Sequence, residues 1–170
     1  MASSYDNLRA LVVEDNLHMR SLLKSLLHAF GIKHIYEAED GDTAYGVFCH
    51  RRPDFVLTDL SMAKADGIAF TKRIRTDVDS PNAYVPIIMV TGHTERPRVE
   101  AARDAGVTEF LAKPITAQNL MLRLAEIIER PRPFVKCDDY FGPDRRRRRV
   151  ENYTGPWRRT EDREIEIQVQ

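Results

Sequence analysis

The chain has 170 residues, of which 42% are apolar, and its 26 basic and 26 acidic side chains cancel to a net charge of zero. That length favours one domain plus an appendage, and the apolar share is enough for a sizeable core. The cancelled charge by itself implies no acidic or basic partner, so any charge signal has to be local.

The chain opens on Met1-Ala2-Ser3-Ser4-Tyr5-Asp6-Asn7, with neither a basic start nor an apolar run, so no signal peptide is expected. The run Leu8–Val13 reads as a first strand. Leu17–Phe30 follows as a helix, with Leu22, Leu23, Leu26, Leu27 and Phe30 at helical spacing and Gly31 as a stop. Lys33–Glu37 is a second strand, and Thr43–His50, with Ala44, Val47 and Phe48, a short helix. Asp54–Thr58 is a third strand, and Gly67–Arg75, with Ile68, Phe70 and Ile74, a third helix. Val85–Val90 is a fourth strand, followed by a helix over Glu95–Ala105 with Thr94 as its N-cap and Gly106 beyond its end. Val107–Leu111 is the fifth strand. Ala117–Glu129 is the fifth helix, capped by Thr116, with Leu120, Leu124, Ile127 and Ile128 on one face.

The strands are rich in Val, Ile and Leu and alternate little, as expected of parallel strands buried on both faces. Five of them alternating with five helices predict an α/β fold: a flavodoxin-like, doubly wound, five-stranded parallel sheet in the order 2-1-3-4-5. Right-handed crossovers bring the C-terminal ends of the strands to one edge, where a ligand crevice forms.

The character changes near Pro131, where a domain boundary is expected between residues 1–130 and a tail of residues 131–170. Pro131, Pro133, Pro143 and Pro156 break any helix, and Arg145–Arg149 is a run of arginines. The tail's net charge is +2 and that of the first 130 residues −2. Tyr140-Phe141-Gly142-Pro143-Asp144-Arg145-Arg146 is repeated as Tyr153-Thr154-Gly155-Pro156-Trp157-Arg158-Arg159, a Tyr-x-Gly-Pro-x-Arg-Arg pattern. The two copies are expected to form similar turns that present an aromatic and a guanidinium pair. Glu164–Gln170 alternates polar and apolar residues like an edge strand. Cys49 and Cys137 match no metal or redox spacing, and no stretch nears the ~18 apolar residues of a membrane span. A soluble cytoplasmic protein is expected.

The polar residues at the strand ends carry the chemistry. Glu14 and Asp15 end the first strand, Asp59 follows the third, Thr91 ends the fourth, and Lys113-Pro114 follows the fifth. In the expected order the first and third strands are neighbours, which sets three carboxylates side by side. Their repulsion is relieved by a cation, and a hard oxygen cluster suits Mg²⁺. An aspartate oxygen can then attack phosphorus, with the Lys113 ammonium and Thr91 hydroxyl available to the phosphoryl oxygens.

Val12-Val13-Glu14-Asp15-Asn16, Val56-Leu57-Thr58-Asp59-Leu60-Ser61-Met62, Asp66-Gly67, Val90-Thr91-Gly92 and Ala112-Lys113-Pro114 together resemble the signature of two-component response-regulator receiver domains of the chemotaxis-regulator kind. The resemblance spans about residues 7–130. It implies a phosphoacceptor at Asp59, a Mg²⁺ site of Glu14, Asp15, Asp59 and the Ser61 backbone carbonyl, and Thr91 and Lys113 as phosphate contacts. It implies Phe110 as the switch aromatic coupled to Thr91, and a sensor histidine kinase or histidine phosphotransfer protein as the phosphodonor. The expected protein is a signalling switch rather than an enzyme, limited to phosphoryl acceptance and autodephosphorylation. The chain departs from the pattern with Ala63 where proline is common, Phe110 for tyrosine and Gly92 for the commoner alanine, while His93 is read as a bystander.

No effector signature follows Pro131. Output is therefore expected through phosphorylation-dependent protein contact at the fourth helix, fifth strand and fifth helix, with Tyr140, Tyr153 and Trp157 as interface anchors. One alternative is nucleic-acid binding through Arg145–Arg149 and Arg158-Arg159, which the interspersed acids disfavour. Another is a receiver fold kept as a scaffold without the chemistry.

Overall fold

The computed structural model describes residues 5–64, 66–92, 96–145 and 165–167, with only the backbone described for Arg96 and residues 165–167. Thr94, His93, Tyr153, Trp157, Arg146–Arg149 and Arg158-Arg159 lie outside the described residues.

Strands β1 (Arg9–Val13), β2 (His34–Ala38), β3 (Phe55–Asp59), β4 (Ile87–Thr91) and β5 (Glu109–Ala112) form one sheet in the order β2-β1-β3-β4-β5. Every pairing is parallel. This is the order expected from the alternation of strands and helices. The fourth and fifth strands begin two residues later than the apolar runs that announce them. Val85 and Val107 are core residues of the approach to each strand, so hydrophobicity alone sets the strand start too early. The central strands β3 and β4 are buried at every residue, whereas β2 and β5 lie at the sheet's edges and are partly exposed. Burial on both faces therefore holds for the centre and fails at the rim.

Helices α1 (Leu17–Ala29) and α5 (Ala117–Glu129) cover one face of the sheet. Leu23, Leu27, Leu120, Leu124 and Ile127 pack there on Ala10, Val12, Leu57, Ile88, Val90 and Leu111. Leu22, predicted on the same buried stripe, is 42% exposed because its position falls on the outer side of α1. On the other face, α2 (Gly41–Arg51) and α3 (Gly67–Thr76) place Ala44, Phe48, Phe70 and Ile74 on Leu11, Val13, Val56 and Ile87. Helix α4 (Arg96–Asp104) closes a smaller group of Leu60, Met89, Ala102 and Val107. The alternation of strand residues between these clusters is the period of two that makes a doubly wound sheet.

Side chains start the helices: Asn16, Asp40, Asp66 and Thr116 accept the N–H groups of Met19, Thr43, Ala69 and Asn119. The Asp40 cap starts α2 two residues earlier than its apolar pattern indicates. Gly31 has φ of +92°, the left-handed conformation that ends α1 as expected.

Beyond α5 the chain forms a second, three-stranded sheet in the order β7-β6-β8. Strands β6 (Phe134–Cys137) and β7 (Tyr140–Pro143) make an antiparallel hairpin, and β8 (Ile165–Ile167) pairs with the other side of β6. The strand expected near the C-terminus is thus present over three residues. The first Tyr-x-Gly-Pro copy is a strand rather than a turn. Pro143, which has no N–H to donate, closes an edge strand, where proline is tolerated.

The hairpin docks at the N-terminal ends of β4 and β5, opposite the predicted crevice. Phe134, Phe141 and Tyr84 form a ring cluster with centroids 5.1–5.6 Å apart. Beneath it, the buried Arg75 donates to the carbonyls of Ala83 and Gly106 and lies 5.0 Å over the Phe134 ring. Burial lowers the proton affinity of its guanidinium to a pKa of about 9. Gly142 and Gly106 touch backbone to backbone: a Cβ on Gly142 would meet the Gly106 Cα at 2.8 Å. Arg132 donates to the Thr108 carbonyl and pairs with the buried Glu109 of β5, which Arg123 of α5 also holds.

Candidate functional site

Parallel register brings the predicted residues together. Val13 is opposite Thr58, Asp59 opposite Val90, and Thr91 opposite Ala112. Glu14 and Asp15 leave β1 beside the last residue of β3, and Lys113 leaves β5 beside the last residue of β4. The Lys113 amide donates to the Thr91 carbonyl at 2.9 Å, which continues the ladder one residue past β5. Asp59 is itself the last residue of β3 rather than the residue after it.

The carboxylates of Glu14, Asp15 and Asp59 offer ligand atoms that all lie within 4.8 Å of one another. Glu14 and Asp59 are buried, and Asp15 is exposed. Lys113 Nζ is 2.9 Å from Asp59 Oδ1 and 3.9 Å from Glu14 Oε2. The Asp15 carboxylate accepts the Ala63 N–H at 2.9 Å, and Glu14 Oε1 accepts the Asn16 N–H at 3.1 Å. Glu14 Oε2 is buried without a hydrogen-bond partner.

That orphaned oxygen has an electrostatic consequence. Burial pushes the Glu14 carboxyl up to a pKa of about 7; the Asn16 N–H opposes the shift, the Asp59 charge adds to it, and Lys113 opposes it. Among the described residues the Lys113 ammonium serves both buried carboxylates, and a buried oxygen with no hydrogen-bond donor is an expensive arrangement unless something else binds it. A hard divalent cation suits this donor set: three converging carboxylates, one already short of a partner. The residues present therefore fit Mg²⁺.

Thr91 is buried at the end of β4, and its hydroxyl donates to the Gly92 carbonyl at 3.1 Å. Phe110 is half-buried on β5 and packs against the group of Leu60, Met89, Ala102 and Val107, between the end of β3 and α4. Ser61 sits two residues beyond Asp59, exposed on the loop between β3 and α3. The structure thus brings Glu14, Asp15, Asp59, Thr91 and Lys113 to one edge. Tyr140 lies elsewhere, on the hairpin, with its hydroxyl donating to the Pro143 carbonyl at 2.8 Å and Arg145 over its ring at 4.1 Å.

Two features were missed by sequence reasoning. A Cβ on Gly67 would stand 2.3 Å from the Asp59 carbonyl oxygen, so only glycine lets α3 approach Asp59 so closely. Arg98 of α4 donates to Ser61 Oγ, the Leu60 carbonyl and Asp66 Oδ2, spanning the loop that follows Asp59. The Asp66-Gly67 pair was visible as a motif, but nothing in the local pattern marks Arg98 among the arginines of its helix.

Comparison with known proteins agrees with this geometry. Residues 10–125 match the family described as response regulator receiver domain. The chain is 36% identical over 124 residues to the chemotaxis protein CheY-3 of Vibrio cholerae serotype O1, a match covering 73% of this chain and 94% of that protein. It is 34% identical over 123 residues to the chemotaxis protein CheY of Pseudomonas aeruginosa, covering 72% and 98%. Among solved structures, the receiver domain of the sensor histidine kinase PA1611 of P. aeruginosa PAO1, with a magnesium ion coordinated in its active-site cleft, superimposes with a TM-score of 0.63. That match has 28% identity and covers 70% of this chain and 95% of the other.

Proposed function

The chain belongs to the response-regulator receiver family of two-component systems, and from that premise we propose that Asp59 accepts a phosphoryl group from a histidine-phosphorylated donor in a Mg²⁺-dependent step. The observation that carries the proposal is the convergence of the Glu14, Asp15 and Asp59 ligand atoms with Lys113 Nζ 2.9 Å from Asp59.

In this reading Glu14, Asp15, Asp59 and the Ser61 carbonyl hold the cation. When bound, Mg²⁺ offsets the charge of the acids and of the incoming phosphoryl group. An Asp59 carboxylate oxygen attacks phosphorus. A P–O bond forms as the donor's P–N bond breaks, and the imidazole leaves with the bonding pair. Lys113, already paired with Asp59, neutralises charge spreading onto the equatorial oxygens, and Thr91 supplies a hydroxyl donor at the end of the neighbouring strand. Hydrolysis of the acyl phosphate later resets the carboxylate, so the group is a switch that turns over slowly.

The output follows from what Thr91 and Phe110 touch. Reorienting the Thr91 hydroxyl toward a phosphoryl oxygen breaks its bond to Gly92. Phe110 packs against the cluster that holds Leu60, the residue after Asp59, and Ala102 of α4, so a change at the acceptor is felt at the face of α4, β5 and α5. A protein partner reads that face. The docked hairpin borders it through Arg132 on Glu109 and through Arg145, 3.0 Å from Asp104 at the end of α4. The stretch from residue 134 to 145 is thereby spoken for by the domain itself, which favours protein contact over nucleic-acid binding for this part of the tail.

The test is intact-mass spectrometry after incubation with acetyl phosphate and Mg²⁺. The wild-type chain gains one phosphate and Asp59→Asn gains none. A wild-type chain that stays unmodified, while a control receiver is phosphorylated, overturns the reading in favour of a scaffold.

A further inference from the structure

The loop between Asp59 and α3 is held from three sides. From β1, the Asp15 carboxylate takes the Ala63 N–H. From α3 itself, Gly67 N donates to the Leu60 carbonyl at 3.4 Å, and Asp66 caps the helix. From α4, Arg98 reaches in with both terminal nitrogens: Nη1 donates to Ser61 Oγ at 2.5 Å, and Nη2 donates to Asp66 Oδ2 at 2.9 Å and to the Leu60 carbonyl at 3.3 Å. The guanidinium is about as exposed as its carboxylate partner, 39% against 36%, so the ion pair alone contributes little to stability. Its geometry matters more. A planar fork on three acceptors fixes the loop relative to α4 in a way that a single point charge cannot.

We propose that Arg98 is a positioning residue that joins helix α4 to the phosphoacceptor loop, so that Mg²⁺ binding at the acid cluster and the placement of α4 are energetically coupled. The proposal rests on the functional reading above, since it concerns the loop that carries the Ser61 carbonyl. Linkage makes the coupling reciprocal: if the Arg98 bonds hold the loop in its metal-binding shape, metal binding must in turn strengthen the hold on α4. The Arg98 contacts run alongside the route through Thr91 and Phe110 and reach the same helix from its N-terminal half. Loss of Arg98 removes its bonds to Ser61 Oγ and the Leu60 carbonyl and its pair with Asp66. The loop then samples more conformations, and the cation has to order it on binding.

The experiment uses the full chain and Mg²⁺ as the probe. Calorimetric titration gives the Mg²⁺ dissociation constant, and hydrogen exchange of the amides of residues 96–104 gives the response of α4, with melting temperature recorded alongside. Arg98→Ala removes all three hydrogen bonds and is expected to raise the dissociation constant about three- to tenfold, part of their worth being felt at the metal, while the fold is retained. The added protection of α4 on Mg²⁺ binding, present in the wild type, is expected to vanish. Arg98→Lys keeps the charge without the fork and is expected to fall nearer to alanine than to the wild type. An Arg98→Ala protein with wild-type Mg²⁺ affinity and an undiminished α4 response overturns the proposal, whatever its melting temperature; so does full recovery by lysine. A wild-type chain that binds no Mg²⁺ and gains no phosphate instead refutes the functional reading, so the two failures are told apart.

Discussion

Replacing Glu14 by glutamine separates the stability of the fold from the demands of its site. In the folded chain the Glu14 carboxyl has its pKa raised from 4.5 to about 7, chiefly by burial, with its Oε2 left without a hydrogen bond. In the unfolded chain the same group ionises near its ordinary value. The folded state therefore binds more protons between those two values, and stability falls as pH rises through that window. At about 1.4 kcal/mol for each tenfold change in proton affinity, the full effect is roughly 3 kcal/mol above neutral pH. Glutamine has nearly the same shape, can accept the Asn16 N–H, and carries no charge to desolvate. In chelator at about pH 8, Glu14→Gln is expected to melt up to about 10 °C above the wild type, and the gain should disappear by about pH 4.5. Added Mg²⁺ should raise the wild-type melting temperature more than that of the variant, because the cation offsets a charge that at Oε2 no hydrogen bond satisfies. Circular dichroism melts at several pH values, with chelator and with Mg²⁺, make the measurement. A variant no more stable than the wild type at about pH 8 in chelator would show that Glu14 is not held at a cost, and the argument for a cation from its orphaned oxygen would fail.

Gly67→Ala forces a methyl group to within 2.3 Å of the Asp59 carbonyl oxygen; α3 must shift, at a cost of about 1–3 kcal/mol in urea unfolding and with slower phosphorylation by acetyl phosphate. Equal stability and equal rate would mean that the close approach is not constraining. Phe134→Ala removes a ring that is 3% exposed and covers Arg75. It is expected to cost about 3–5 kcal/mol, and hydrogen exchange should rise across residues 134–143 before the rest of the chain. An unchanged urea midpoint would show that the hairpin does not stabilise the domain.

Much of the architecture was legible because it is written in local periodicity. Apolar runs without alternation announce strands buried on both faces, and Leu120, Leu124 and Ile127 announce the inner face of α5. The site residues were legible for a related reason. Glu14, Asp15, Asp59, Thr91 and Lys113 each interrupt or follow an apolar run at its C-terminal end, and a parallel sheet must gather those ends on one edge. Residue type and chain order therefore pointed to the proposed reaction class, the proposed cation and the candidate acceptor.

Tertiary structure decided what depends on which surfaces meet. The raised proton affinity of Glu14 comes from burial and from the neighbouring Asp59 charge, neither of which a strand-end pattern reports. The requirement for glycine at 67 appears only once α3 lies on the Asp59 carbonyl. Arg98 looked like any exposed helical arginine until α4 stood over the loop. The first Tyr-x-Gly-Pro copy looked like a turn, and it became a strand because Gly142 could press against Gly106 while Phe134 and Phe141 closed over Tyr84 and Arg75. Such contacts join residues far apart in the chain, whose fit depends on shape and not on any repeat in the sequence between them.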